Sequence, residues 1–353
     1  MQSAKTIRPR AGVRDLLISD ISVGGDIHRI ILNGIATSPG RTAREVRALI
    51  IERYDALRRM LLNYPYGNED MCADLIFPSN LEEGAYAYVV MECMGYPYFS
   101  GSNTMASIAG LIEYGLAPLE EGTSPIRIEA PSGMIDARYR IADGRIEEVC
   151  VRGDDAYVIA DDLSVEVPGF GSVAYALVWS GAPFIMLRAA DFGIEVTPEH
   201  LDRMKQVGRA VVEAIRPGFA HIHPEIGSVE APGFIHYMGE LEEVGEEGFA
   251  SRGATYGFPA TVFVCPTGTG TAARMALEVA RGRMRADSGF ENSSPAGHPF
   301  VGRGLGFVER GGTQMLAAEI AAKPYVLATT TMHLDFGNPV MATFEEIGAL
   351  LDG

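Results

Sequence analysis

The chain has 353 residues, of which 47% are hydrophobic and 21% charged, a composition of ordinary globular proteins and a length that favours two domains over one. Its formal charge of -17 at pH 7 argues against nucleic-acid or anionic-membrane partners, which need a basic footprint. An anionic ligand would have to be held by local donors, such as backbone amides and helix dipoles, against an unfavourable overall field.

The opening residues, Met1 to Asp20, carry early positive charge but neither an apolar signal core nor a small-residue cleavage pattern, which argues against secretion. Leu17 to Leu32 alternates around Ser22-Val23-Gly24-Gly25-Asp26, the pattern of strand, glycine turn and strand. Thr42 to Leu62 is expected as one amphipathic helix, with Val46, Leu49, Ile50, Tyr54, Leu57 and Leu61 on one face and Tyr64-Pro65-Tyr66-Gly67 after it. Strands are expected at Asp74 to Phe77 and Ala85 to Met91, then a turn at Gly95-Tyr96-Pro97 and an apolar helix from Ser100 to Glu113, closed by Gly115.

Ile126 to Val167 has the spacing of an antiparallel meander, with turns at Pro131-Ser132-Gly133 and Ala142-Asp143-Gly144. Val173 to Leu187 follows as strands; this richest apolar stretch is broken by Ser180, Gly181 and Pro183, short of the roughly 18 apolar residues of a membrane helix. Pro198 to Ile215 is expected as a helix, stopped by Pro217-Gly218, and Glu240 to Glu247 as an acidic surface stretch. Thr261 to Val264 reads as a strand entering Pro266-Thr267-Gly268-Thr269-Gly270-Thr271 and a second apolar helix to Arg281. Cys72, Cys93, Cys150 and Cys265 are scattered without a CxxC pair, which suggests neither a zinc knuckle nor a disulfide framework and fits a reducing cytoplasm.

Two of these segments repeat. Ser100-Gly-Ser-Asn-Thr-Met-Ala-Ser-Ile-Ala-Gly-Leu-Ile-Glu-Tyr-Gly115 aligns without a gap on Thr267-Gly-Thr-Gly-Thr-Ala-Ala-Arg-Met-Ala-Leu-Glu-Val-Ala-Arg-Gly282. Gly101 matches Gly268, Thr104 matches Thr271, and Gly115 matches Gly282. Each copy is a strand, a hydroxyl-bearing turn and a helix so apolar that it must lie inside its own domain. A single Ser/Thr/Gly turn is an ordinary helix N-cap. A duplicated one gives two helix N-termini whose free N–H groups and positive dipole ends can enclose a carboxylate.

The motifs resemble the proline racemase family, which includes proline racemases, 4-hydroxyproline epimerases and trans-3-hydroxyproline dehydratases. Asp20-Ile-Ser-Val-Gly-Gly-Asp-Ile-His-Arg29 is similar to its D-S-H-T-G-G-E-P-T-R opening. Arg58-Arg59-Met-Leu-Leu-Asn-Tyr-Pro-Tyr-Gly-Asn-Glu-Asp-Met71 is similar to R-R-x-L-x-N-E-P-R-G-H-x-D-M. Ser100-Gly-Ser-Asn-Thr104 stands at [CS]-G-H-x-T, His223-Pro-Glu225 at H-P-E, Cys265-Pro-Thr-Gly-Thr-Gly-Thr271 at S-P-[CT]-G-T-G-T, and Gly297-His-Pro-Phe-Val-Gly302 at G-x-x-F-x-G.

The resemblance implies an α/β (α+β) fold like diaminopimelate epimerase, in which two pseudo-symmetric domains each curl a mostly antiparallel sheet around a central apolar helix. The expected division is 1–162 with 328–353 returning to it, and 163–327. It also implies chemistry without cofactor or metal. Ser100 and Thr267 would flank Cα of a small amino-acid or carboxylate substrate in the interdomain cleft. Gly101, Ser102, Asn103, Gly268, Thr269, Gly270, Asp70, His223 and Phe263 would contact that substrate. A homodimer is compatible with the resemblance; nucleic-acid and membrane partners are not expected.

Departures from the family pattern fall on the chemistry. Neither catalytic position is a thiol, the histidine after the first Gly is Ser102, the histidine before the Asp-Met pair is Asn68, and the aspartate that meets the substrate nitrogen is Phe263. A hydroxyl such as that of Ser100 needs an activating neighbour to act as base; Asp70 or Asp26 would serve if the fold carries either into the cleft. Thr267, a weak second base, favours dehydration over epimerisation, with an epimerase, an altered substrate or a binding-only role as alternatives.

Six further residues carry a second reading. Cys265 and Cys93 are expected as buried strand cysteines. His221 and His223 share one face of a strand but lack a third ligand at metal spacing. His298 and Asp335 are open between ligand contact and turn residue.

Overall fold

The computed structural model describes residues 14–33, 40–245, 248–344 and 346–348. The opening residues Met1 to Val13 and the end of the acidic stretch, Glu246-Glu247, lie outside them. Among the described residues there are five α-helices: α1 Ala43–Arg53, α2 Asp55–Leu62, α3 Gly101–Glu113, α4 Leu201–Ile215 and α5 Gly268–Ala280. The helix expected over Thr42 to Leu62 is two. Thr42 and Glu45 form a capping box that starts α1, and Tyr54, at φ -132 and ψ 25, ends it before Asp55 opens α2.

α3 is buried at every residue from Ser102 to Ile112, and α5 from Gly270 to Glu278. A helix apolar all round is stable only when enclosed, and each is wrapped by its own run of strands. Around α3 lie Arg14–Val23, Asp26–Ile31, Cys72–Pro78, Tyr86–Met91, Gly122–Ala130, Arg145–Arg152 and Pro324–Leu334. Around α5 lie Tyr157–Val167, Gly171–Trp179, Pro183–Arg188, Phe234–Met238, Gly248–Gly257, Pro299–Arg310 and Thr313–Ala322. Full burial of Met105, Ile108 and Leu111 contributes roughly 1.5–3 kcal/mol per side chain, so Ile108→Ala should cost about 2–5 kcal/mol. α3 approaches its sheet closely: a Cβ at Gly110 would lie 2.9 Å from Ile30 Cγ2. Within α5, the buried Arg274 and Glu278 side chains pair at 2.7 Å, which keeps a polar pair in an otherwise apolar helix.

Outer helices complete the layers. α1 and α2 pack on the strands around α3 through Val46, Ile50, Leu57 and Leu61, and α4 packs on the other run through Val207, Val211 and Ile215. The meander expected from Ile126 to Val167 holds for Gly122–Ala130, Gly133–Ala142 and Arg145–Arg152, paired in antiparallel order. Tyr157–Val167 leaves it and pairs with Gly171–Trp179. The expected boundary at 162 would cut this strand, and the last long strand, Pro324–Leu334, already pairs with Arg14–Val23. We therefore place the division at Gly153–Ala156 and the return of the chain at Pro324. Thr313–Ala322 pairs with Arg145–Arg152, which stitches the two runs together.

The Gly24-Gly25 turn positions the site. Both glycines have positive φ, and a Cβ at Gly24 would strike Phe300 Cε1 at 2.4 Å, so only glycine lets this hairpin press against the far half. Asp26, next in sequence, accepts from the backbone N–H of Val264 at 2.9 Å and Cys265 at 3.1 Å. No helix of the described residues is long and apolar enough to cross a membrane.

Candidate active site

α3 and α5 meet end to end. A Cβ on Gly101 would lie 3.8 Å from Gly268 Cα, and the reverse distance is also 3.8 Å. The two N-caps are built alike. The Ser100 carbonyl accepts from Thr104 N at 2.9 Å and Thr104 Oγ1 at 2.7 Å; the Thr267 carbonyl accepts from Thr271 N at 3.0 Å and Thr271 Oγ1 at 2.7 Å. Among the described residues no protein acceptor meets the N–H groups of Gly101, Ser102, Gly268 or Thr269. Two positive dipole ends with unpaired donors converge there, which is the electrostatic requirement for an anion seat.

A cavity of about 810 Å³ opens at this junction and is lined by Ser100, Gly101, Ser102, Thr267, Gly268 and Thr269. His223 and Phe263 also line it. Three residues expected at the ligand stand elsewhere. Asn103 is buried behind Ser100, where the first turn of α3 carries it inward. Gly270 turns its N–H to Thr267 Oγ1 at 3.1 Å and is buried. Asp70 does not line this cavity but borders a small adjoining one beside Cys93 and Thr261, with Cys72, Glu92 and Phe263 shared between the two.

The hydroxyls differ in their support. Thr267 has φ 59, a left-handed backbone that a β-branched residue rarely adopts. Its Oγ1 caps α5 and pairs with Thr255 Oγ1 at 2.8 Å, and Thr255 in turn meets His236 Nδ1 at 3.1 Å. Burial, reinforced by the charge of Arg274, pushes the His236 imidazole down to about 3, so it is neutral at pH 7. Ser100 Oγ instead accepts from Asn103 Nδ2 at 2.7 Å, and Asn103 Oδ1 meets His28 Nδ1 at 2.9 Å. Asn103 Nδ2 also donates to Glu92 Oε1 at 3.2 Å.

Burial and the proximity of Asp26 push the Glu92 carboxyl up to about 7, although the Asn103 hydrogen bond opposes this. Asp26 also lines the cavity, with its Oδ1 held by the backbone N–H groups of Val264 and Cys265. Cys265 also lines the cavity; burial and Asp26 push its thiol well up, so it is not a thiolate. His223 Nδ1 accepts from Glu225 N and Ile226 N at 3.2 and 3.3 Å, which places its proton on Nε2, and its ring lies 4.5 Å from Trp179. His221 is turned to the Tyr157 hydroxyl at 2.8 Å, and no group of three His, Cys, Asp or Glu among the described residues converges as a metal site. His298 packs against the Gly25 turn. Asp335 is a turn residue, accepting from Gly337 N at 3.0 Å.

Phe263, in the nitrogen-partner position, joins an aromatic wall: its ring lies 6.5 Å from Phe234, which stacks on Phe184 at 5.3 Å. Asp154, which no motif singles out, also lines the cavity. Its carboxylate has no hydrogen-bond or ion partner among the described residues, whereas its neighbour Asp155 pairs with Arg152 at 2.9 Å and Arg310 at 3.2 Å.

Two sheet-wrapped helices with facing N-termini define a diaminopimelate-epimerase-like fold. A sequence model of the proline racemase family matches residues 18–345, and the chain belongs to that family. It is 33% identical over 326 residues to a protein of Chromohalobacter salexigens, covering 92% of this chain and 90% of that one. It is 28% identical over 311 residues to a 4-hydroxyproline 2-epimerase of Streptosporangium roseum, covering 88% and 92%. A crystal structure of a hydroxyproline epimerase from Agrobacterium vitis with bound trans-4-hydroxy-L-proline superposes with a TM-score of 0.79 at 21% identity, covering 93% and 94%. At that identity the likeness speaks for the fold.

Proposed function

We propose that this chain dehydrates a small cyclic amino acid of the trans-3-hydroxyproline type. The substrate carboxylate sits between the N-termini of α3 and α5, and its nitrogen faces Asp154. The Cα proton leaves on the Ser100 side, and the β-hydroxyl takes up a proton from solvent relayed through the Thr267 hydroxyl and departs as water, giving an enamine that tautomerises to a cyclic imine. Backbone N–H groups of Gly101, Ser102, Gly268 and Thr269 stabilise the enolate-like charge as it forms.

One observation carries this reading: the two faces are unequal. Ser100 shares Asn103 with a carboxylate, whereas behind Thr267 stand only a second hydroxyl and a neutral imidazole. Racemisation needs proton transfer on both faces, and elimination needs a base on one and a hydrogen-bonding group on the other. The relative named as an epimerase supports the alternative of two-face exchange. The wall of Phe263, Phe234 and Phe184 supports a third reading, a carboxylate without a charged nitrogen.

Incubation in deuterated water with trans-3-hydroxyproline, 4-hydroxyproline and proline separates them. Imine formation from the first without inversion of the others is expected. Fast epimerisation of 4-hydroxyproline without imine refutes dehydration, and neither exchange nor imine with any substrate favours the nitrogen-free carboxylate.

A further inference from the structure

The base that Ser100 lacks in sequence stands at the end of the strand Tyr86–Met91. Glu92 lines the same cavity as Ser100 and Ser102, and its Oε1 and Ser100 Oγ both accept from the one Asn103 amide nitrogen, at 3.2 and 2.7 Å. His28, fully buried, meets the oxygen of that amide and so fixes which end faces Ser100. Since Ser100 Oγ accepts from Asn103, its own proton points away from the amide. Two acceptors on one planar NH2 group stand about 5 Å apart, a gap that one bridging water or one rotation of the glutamate side chain closes.

We propose that Glu92 is the proton acceptor of the Ser100 face. As the Cα–H bond breaks, its electron pair passes into the substrate's enolate, the proton passes to Ser100 Oγ, and the proton of Ser100 passes to the Glu92 carboxylate. This assignment rests on Cα-proton abstraction as the activity of the site. The groups facing Glu92 are Asp26, Cys72, Asp74, Tyr88 and Cys93, from the hairpin and the strands packed beside it. All are acidic or neutral. Arg58 reaches only the backbone carbonyl of Glu92, at 3.2 Å. Among the described residues no cation pairs with the carboxylate, and burial keeps its proton affinity near that of a working general base at neutral pH.

The test measures Cα–H exchange, counted as imine formation from trans-3-hydroxyproline plus Cα deuterium incorporation into the recovered substrate, between pH 5 and 9 in the wild type, Glu92→Gln and Glu92→Asp, with calorimetric binding of the same amino acid as the check on folding. Wild-type exchange should rise with pH as Glu92 ionises, with a midpoint near 7. Glu92→Gln should lose at least about 100-fold in exchange together with that acid limb, at nearly unchanged affinity, and Glu92→Asp should recover part of both. A Gln variant that keeps the rate and the limb, or one that loses affinity rather than rate, overturns the assignment and leaves proton abstraction standing. A wild type that binds substrate but exchanges nothing overturns proton abstraction itself, and the role of Glu92 with it.

Discussion

Gly101→Ala should make the protein slightly more stable and nearly unable to hold a carboxylate. Gly101 is the first residue of α3 and has no positive φ, so alanine fits its backbone and should add about 0.4–1 kcal/mol by restricting the unfolded chain. The added Cβ would touch only Gly268 Cα, at 3.8 Å, an ordinary contact. That contact fills the gap in which the two sets of helix amides converge. A carboxylate oxygen must come within about 2.9 Å of an amide nitrogen to bond it, and the methyl group stands in the way.

If two N–H contacts to a charged oxygen are lost, at about 1.5–3 kcal/mol each, binding weakens by about 3–6 kcal/mol, or roughly 100-fold to 20,000-fold. Calorimetric titration with a proline-type carboxylate measures the loss, and thermal unfolding of the unliganded protein measures the gain. Gly268→Ala should behave alike, because the contact is reciprocal. Tight binding by a folded Gly101→Ala variant would falsify the anion seat.

Thr267→Val should lower stability by about 1–2 kcal/mol through loss of the Gly270 cap, whereas Thr267→Ser should keep most of it in thermal unfolding; equal melting of the two refutes the cap. Stability against pH should carry two opposed slopes. The folded state binds the Glu92 proton more tightly than the unfolded chain, so that contribution falls as pH rises from about 4.5 to about 7. The folded state disfavours protonated His236, so that contribution falls as pH drops below about 6.5. Glu92→Gln removes the first slope and should make the melting temperature fall more steeply between pH 6.5 and 4.5; parallel curves for variant and wild type refute it.

The two central helices were legible in sequence because their burial is written locally, as apolar residues on every face after a hydroxyl turn. The break at Tyr54 was not, since no Gly or Pro marks it and the apolar stripe runs on through Leu57 and Leu61. Asp70 stands one recess away from the helix junction, because a motif fixes chain order but not how far a loop carries its side chains into a cleft. Glu92 did leave a signal: an acid closing the apolar run Tyr-Ala-Tyr-Val-Val-Met is a charge at the edge of a core. Its partnership with Asn103 is a tertiary fact, set by where α3 crosses the strand Tyr86–Met91, and no spacing along the chain encodes it.

Asp154 decides which ligand the cleft prefers. A Cβ on Gly181 would come 2.6 Å from Asp154 Oδ2 and 3.8 Å from Thr269 Cγ2, so the carboxylate stands within one residue's breadth of the α5 N-terminus. Burial, then the charge of Asp155, raises its carboxyl above the usual range, as expected of an acid waiting for a cation. A substrate ammonium would supply that cation, with the carboxylate seat a few ångströms away. Asp154→Asn should therefore weaken binding of proline-type amino acids by about 1.5–3 kcal/mol, roughly 10- to 100-fold. It should leave a ring carboxylate without nitrogen, such as cyclopentanecarboxylate, bound as before or slightly tighter, because a repelling charge is gone. Equal loss for both ligands would mean that Asp154 only shapes the cavity. No loss for either would mean that nitrogen is not held there, and the aromatic face of Phe263 and Phe234 would then define a ligand with nothing positive to present.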